Sequence, residues 1–368
     1  MEKINKRMKI RINGIDFARV CCTLGIINFH FFGHSHSKLK HLFLKSANST
    51  YGFMFVTTFF AISGAVLYYN YHNVTSLKTF YYKRWKSIFP SYYLCFLYFF
   101  MKNVFYLHKL FFRSHWSYLI FTILGMDGYF SYKYKTYHLI GEWFLGAIIL
   151  IYIINPLLSY SINKNIFIIQ FFFFIGYLWM KKTKFFIITI DCNLITCIQS
   201  FYFGMISMKS NAILLTNRIS GIIAFIILIF LCNFHLPRFI LFNQIQGFSL
   251  FIILVHLGNY VMKKKFKSIF LELSKLSYSM YLIHHRIIND ILGVNNPKEW
   301  YNSFTLLGVS ILLIIIYAKI LFIIIDSIFH SNLFMKIENK FIKYDSKPNK
   351  TNNIIINDNI KLISNEVI

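Results

Sequence analysis

The sequence predicts an all-α fold: a polytopic integral membrane helical bundle of about ten transmembrane helices, with the N-terminus and the C-terminus both cytoplasmic. Three observations predict it. Of 368 residues, 57% are hydrophobic and only 14% charged, and the mean hydropathy of +0.53 is well above that of a water-soluble domain of this size. Apolar runs of roughly 17–25 residues recur, each long enough at 1.5 Å per residue to cross a ~30 Å hydrocarbon core. Stretches such as "IILIYIINPLL" and "FIILIFLC" do not alternate apolar with polar residues, which excludes the strands of a transmembrane barrel.

Taken in order, the expected spans are 15–33, 51–70, 88–108, 139–160, 164–180, 185–208, 219–235, 239–262, 269–290 and 302–328. The stretch "WSYLIFTILGMDGYF" (116–130) is too short and too glycine-interrupted for a crossing, and reads as a re-entrant or interfacial segment. Loop charge sets the orientation. An N-terminus inside puts the cluster Lys3–Arg11, "KTFYYKRWK" (78–86), Lys209 with Arg218, "KKKFK" (263–267) and the tail after 335 on the cytoplasmic side, as the positive-inside rule asks. "KKTK" (181–184) is the one cluster that dissents. The chain therefore divides into a cytoplasmic N-terminus (1–13), a transmembrane domain (14–330) and a polar, Asn- and Lys-rich tail (331–368) that is expected to be disordered.

The formal net charge is +26, yet no segment offers the basic face of a soluble nucleic-acid binder, so no nucleic-acid partner is expected; the lipid bilayer is the partner the lysines serve. The six cysteines fall inside apolar runs without paired-ligand spacing, so they read as buried thiols and no metal site is expected. The basic N-terminus ahead of an apolar run superficially matches a secretory signal. Asp16 and Arg19 interrupt that run and no small-residue cleavage site follows, so the segment is expected to be retained. No internal repeat of the transporter kind is present, and the sequence carries no signal of oligomeric state.

The chemistry begins in "RVCCTLGIINFH" (19–30), an apolar run with an ionisable residue at each end. Eleven residues at 100° each make close to three turns, so Arg19 and His30 project from one face, about 16 Å apart along the axis. Asp16 lies on nearly the same face, within pairing reach of Arg19. With the N-terminus inside, Arg19 sits near the cytoplasmic surface and His30 deeper, toward the outer side. Ionisable residues within a span cost a few kcal/mol and usually face a polar cavity. Taken alone, the pair reads equally well as a snorkelling cation and a helix-end cap.

Five short matches in chain order resemble the acyltransferase 3 family of integral membrane acyltransferases. They are Arg19-X10-His30 preceded by "IDFAR", and "YGFMFVTTFFAISGAVL" with Gly52, Phe59, Phe60, Ser63 and Gly64. Then come "FYYKRWKSIFPSYY" with Lys83, Arg84 and Pro90, "GEWFLGAIILIYIINPLL" with Tyr152 and Pro156, and "LSKLSYSMYLIHH" ending at His284 and His285. Two positions depart from the pattern. Ser87 stands where many relatives have a second arginine, leaving the cationic work to Arg84 with Lys83 or Lys86 nearby. Ile148 stands where relatives often carry a glutamate, with Glu142 just before Trp143 as the available carboxylate.

The resemblance implies transfer of an acyl group, acetyl by default, from cytoplasmic acyl-CoA to a hydroxyl of a cell-surface or secreted carbohydrate, at a bacterial plasma membrane. Acetyl-CoA would be a donor substrate; no cofactor would be held permanently. Such chemistry needs a base near neutral pH, for which His30 is the candidate, as general base or as acyl acceptor. It also needs cations for phosphates and a developing oxyanion, which suits Arg19 and Arg84. Asp16, Ser63, Glu142, Tyr152 and His284 are the further candidates for a substrate cavity. Glu142 reads equally as a helix start, His284 and His285 as interface anchors ending a span, and Asp127 as a turn residue. The competing class is a multi-pass transporter or flippase for a glycan or glycolipid.

Overall fold

The computed structural model describes residues 13–338, apart from 48, 73–75, 111–113, 183–188, 210–212, 235–241, 263–265, 333 and 337. The N-terminal basic cluster, Lys184, most of "KKKFK" and the tail beyond 338 therefore lie outside the described residues. Within them the chain is helical, with no strand beyond an isolated bridge between Lys45 and Thr50.

The helices are α1 (Asn13–His34), α2 (Lys40–Leu44), α3 (Tyr51–Tyr71), α4 (Leu77–Leu107), α5 (Leu119–Ile123), α6 (Asp127–Phe130) and α7 (Trp143–Lys164). There follow α8 (Ile166–Lys182), α9 (Leu194–Lys209), α10 (Ile213–Thr216), α11 (Arg218–Asn233), α12 (Phe242–Val261), α13 (Lys267–Val294) and α14 (Trp300–Phe329). Each expected span coincides with one long helix. Five of these, α1, α3, α7, α12 and α14, are by themselves long and apolar enough to cross a membrane. The helices α8, α9 and α11 are shorter, at 17, 16 and 16 residues. The helices α4 and α13, at 31 and 28 residues, carry ionisable side chains along their length.

Two boundaries differ from expectation for local reasons. The basic cluster of residues 83–86 is not a loop: Ser76 accepts from Thr79 N as an N-cap, and α4 starts at Leu77, eleven residues before the expected span. At the other end of the bundle, His284 and His285 do not end a span. α13 runs on to Val294, its next turn held by Asp290, whose carboxylate is 2.8 Å from Lys102 of α4.

The core is a close crossing of helices rich in small residues. α1 packs on α3, α12 and α13, while α3 lies also against α9 and α12. Ala18, Cys22, Ala61 and Ala65 are fully buried in one cluster with Phe251 and Val255. The α3–α9 crossing is tightest. A Cβ on Gly64 would lie 1.9 Å from the Phe201 carbonyl oxygen, and one on Gly204 would lie 1.9 Å from that of Ala61, so each glycine admits the other helix's backbone. The periphery is the reverse. In α14 only 22% of the most apolar window is buried, and α8 and α11 expose Phe167, Phe171, Phe225 and Ile226. Apolar outer faces around a polar-lined interior are what a bilayer solvent favours.

The segment 116–130 is a chain of short turns: α5, then Gly125 at φ +68°, then α6. Asp127 shapes it from within, being buried and accepting from Thr122 Oγ1 at 2.7 Å, while its carbonyl accepts from Thr136 Oγ1. Residues 135–142 then run as an irregular strap, tolerated because α13 satisfies its backbone: Arg286 Nε donates to the Leu139 carbonyl, and the Tyr281 hydroxyl accepts from Glu142 N at 2.9 Å. The expected fourth span thus starts four residues late, at Trp143, after Gly141 turns the chain at φ +66°.

Candidate active site

The strap, α1 and α13 converge on one cluster. Glu142 is the N-cap residue of α7, but its side chain caps nothing there. Instead its Oε1 lies 2.9 Å from His30 Nε2, 3.6 Å from His284 Nε2, and in direct contact with His285 Nε2. The imidazole of His30 is tilted against that of His285, with centroids 4.1 Å apart, and His284 is 4.5 Å from His285. His34, one turn beyond His30, adds a fourth ring 5.7 Å from His285. His284 is fully buried, and its Nδ1 is 2.6 Å from the Tyr281 carbonyl oxygen. Because a carbonyl oxygen can only accept, that contact places a proton on Nδ1. In His30 the bond to the carboxylate places a proton on Nε2.

A cavity of about 310 Å³ joins this cluster to the two arginines expected to bind anions. Arg19, His30, Ser63, Arg84, Glu142 and Tyr152 all line it. Between the charged ends the wall is apolar, with Ile26, Phe59, Val66 and Ile148 among its side chains. Arg19 is nine-tenths buried; its Nη1 donates to Ser274 Oγ at 3.1 Å and lies 3.7 Å from Asp16, and Ser274 donates to the same carboxylate. The Arg84 guanidinium rests over the rings of Tyr71, 5.1 Å away, and Tyr152, 5.8 Å away.

Not every expected residue comes to the cavity. Asp16 stays behind Arg19, His284 lies beside Glu142 without lining the wall, and neither Lys83 nor Lys86 lines it. For the lysines the reason is helical phase. Arg84 faces inward on α4, and residues two positions on are turned by about 200°. Lys86 accordingly points the other way, where it pairs with Glu338 at 2.8 Å and lies over the Phe329 ring. Lys83 lies over the Tyr71 ring, 5.8 Å from its centroid. The pairing with Glu338 also ties down the first residues of what reads in the sequence as a free tail.

Four contributors are not among the expected site residues, although Ser274 and Tyr281 lie within "LSKLSYSMYLIHH". Ser274, Tyr281 and His34 are placed by α13 and α1, and Cys192, expected only as a buried thiol, lines the cavity. Tyr281 and Ser274 do fall on α13 in register with His284, at three and ten residues before it, close to one and three turns. That common face is the signal that finds them.

A helical bundle with apolar outer faces, enclosing guanidinium groups, imidazoles and a carboxylate around one cavity, is that of a multi-pass membrane protein with a polar-lined interior. The family described as "Acyltransferase domain" matches residues 12–324, and the chain belongs to the acyltransferase 3 family. It is a membrane acyltransferase. No curated protein and no solved structure matches the chain.

Proposed function

We propose that the protein is an O-acyltransferase that moves an acyl group, acetyl by default, from cytoplasmic acyl-CoA to a carbohydrate hydroxyl. The observation that carries this reading is the single cavity with Arg19 and Arg84 on its wall and the His30–Glu142 pair on the same wall, His30 being about 16 Å along α1 from Arg19. The guanidinium groups hold the donor's phosphates, with Lys83 adding charge near Tyr71. The pantetheine arm follows the apolar stretch, and the thioester reaches the histidines. The carbohydrate acceptor meets it there.

The Nδ1 of His30 takes the proton of the acceptor hydroxyl, whose oxygen attacks the thioester carbonyl carbon. The C–O bond forms, the C–S bond breaks, and the thiolate leaves, taking the proton from the imidazolium. Glu142 holds the ring in the needed tautomer and stabilises its cation, the role a carboxylate plays behind a catalytic histidine. This pair favours direct transfer to the hydroxyl over an acyl-histidine. Ten crossings with both termini inside, in a bacterial plasma membrane, would bring the arginines to the donor side.

Mass spectrometry of surface and secreted glycans from cells with and without the protein tests the reading. It predicts loss of an acetyl-sized increment from one glycan, and reappearance of that increment with the wild-type chain but not with His30→Ala. Identical glycans in all three cells would overturn it.

A further inference from the structure

We propose that His30, Glu142, His284 and His285 form a binding site for one divalent transition-metal ion of the zinc type. Their ligand atoms, three imidazole nitrogens and one carboxylate oxygen, all lie within 4.8 Å of one another, and they come from α1, the strap and α13. Such an N3O set, borderline-soft and able to arrange as a tetrahedron, suits zinc or cobalt rather than magnesium or calcium.

His284 supplies the independent argument. It is fully buried, its Nδ1–H is committed to the Tyr281 carbonyl, and its Nε2 has no hydrogen-bond partner. That leaves a lone pair aimed at a carboxylate oxygen 3.6 Å away, two acceptors facing each other in a buried site. A cation between them removes the conflict. A second proton on His284 would do so only by burying an imidazolium beside two further imidazoles, whereas a metal ion engages all four groups at once. The backing is also that of a metal site. The far nitrogen of His284 donates to a backbone carbonyl, and the Tyr281 hydroxyl holds Glu142 through its amide. Sequence spacing conceals the set because only His284 and His285 are neighbours in the chain.

Metal ligation through Nε2 moves the proton of His30 to Nδ1 and removes the base. Zinc occupancy and acyl transfer therefore exclude each other; this consequence, unlike binding itself, rests on the acyl-transfer reading.

The experiment uses the full chain, without a polyhistidine tag, purified in detergent, stripped with chelator and titrated with zinc chloride. Elemental analysis is expected to give one zinc per chain, and zinc-edge X-ray absorption of the wild type to show three imidazole ligands and one oxygen. His284→Ala and Glu142→Gln should each weaken binding at least about tenfold, while His36→Ala, at an exposed position, should not. Should the variants fold poorly, the wild-type absorption spectrum decides alone. Less than stoichiometric zinc after dialysis, or a shell without three imidazoles, would overturn the site. Acetyl transfer measured in parallel separates the two readings. Stoichiometric zinc that leaves turnover unchanged removes His30 from the ligand set, and zinc binding by a protein that never transfers acetyl overturns the enzyme reading alone.

Discussion

The Arg84 guanidinium lies over two aromatic rings and has a polar atom, Nε, buried without a partner beside the cavity. A planar cation in such a slot is not replaceable by an ammonium group, since Lys cannot stack on both rings or present two parallel donors. Arg84→Lys is therefore expected to raise KM for acetyl-CoA about tenfold with kcat little changed, whereas Lys86→Ala, which breaks only the pair with Glu338, should leave KM within twofold. Steady-state kinetics in proteoliposomes read both. Glu142→Gln should behave differently again: the amide cannot stabilise the His30 imidazolium, so kcat should fall at least about 100-fold with KM unchanged. At this scale the sequence was legible where a helix carried the information. Arg19 and His30 share a face because eleven residues make nearly three turns, and both do line one cavity. Glu142 was offered as a cavity candidate and does line the wall, but its contact with three histidines was not legible, because its aim is set by an irregular strap hydrogen-bonded to α13; at Lys86 a charge cluster was read without its helical phase.

The elements were legible to the extent that composition marks them. Apolar runs locate every long helix, but cannot show that α4 begins eleven residues early at a Ser76 cap, or that α13 continues beyond His285 as an amphipathic helix. A hydropathy window averages away a helix with one polar face. The "FFAISGA" motif was ambiguous between chemistry and packing, and the two readings divide between neighbours: Ser63 lines the cavity while Gly64 meets the backbone of α9. The crossing makes a sharp prediction. Gly64→Ala and Gly204→Ala each put a methyl group 1.9 Å from a carbonyl oxygen, so one helix must move. Each should destabilise the detergent-solubilised protein by about 1–3 kcal/mol or more, seen as a lowered Tm, while Gly308→Ala, which meets nothing within 4 Å, should not. Equal Tm values for all three would mean that α3 and α9 do not cross so closely.

Across the whole molecule, α14 connects the two ends of the bundle. Its N-cap residue Glu299 pairs with Lys38 beyond the end of α1, and its far end leads to Lys336 and to Glu338, which holds Lys86 in the first third of α4. Thirty residues of helix measure about 45 Å, more than the hydrocarbon thickness, so Lys38 and Lys336 belong on opposite sides of the membrane. With native thiols blocked, cysteines at these two exposed positions should be labelled by an impermeant maleimide from opposite sides, Lys336→Cys from the cytoplasm. Labelling of both from one side would refute the orientation. On the proposed reading, a donor inside and an acceptor outside would meet because α1 presents a cation near one end and an imidazole near the other, with one void between them.

The most direct measurement of that idea is transfer of labelled acetyl from acetyl-CoA by wild-type and His30→Ala protein in proteoliposomes, with donor binding measured on the same samples. Donor affinity should stay within about twofold in the variant while transfer falls at least about 100-fold, because the arginines bind and the histidine reacts. Transfer by His30→Ala at the wild-type rate would contradict it, as would loss of donor binding in step with loss of transfer.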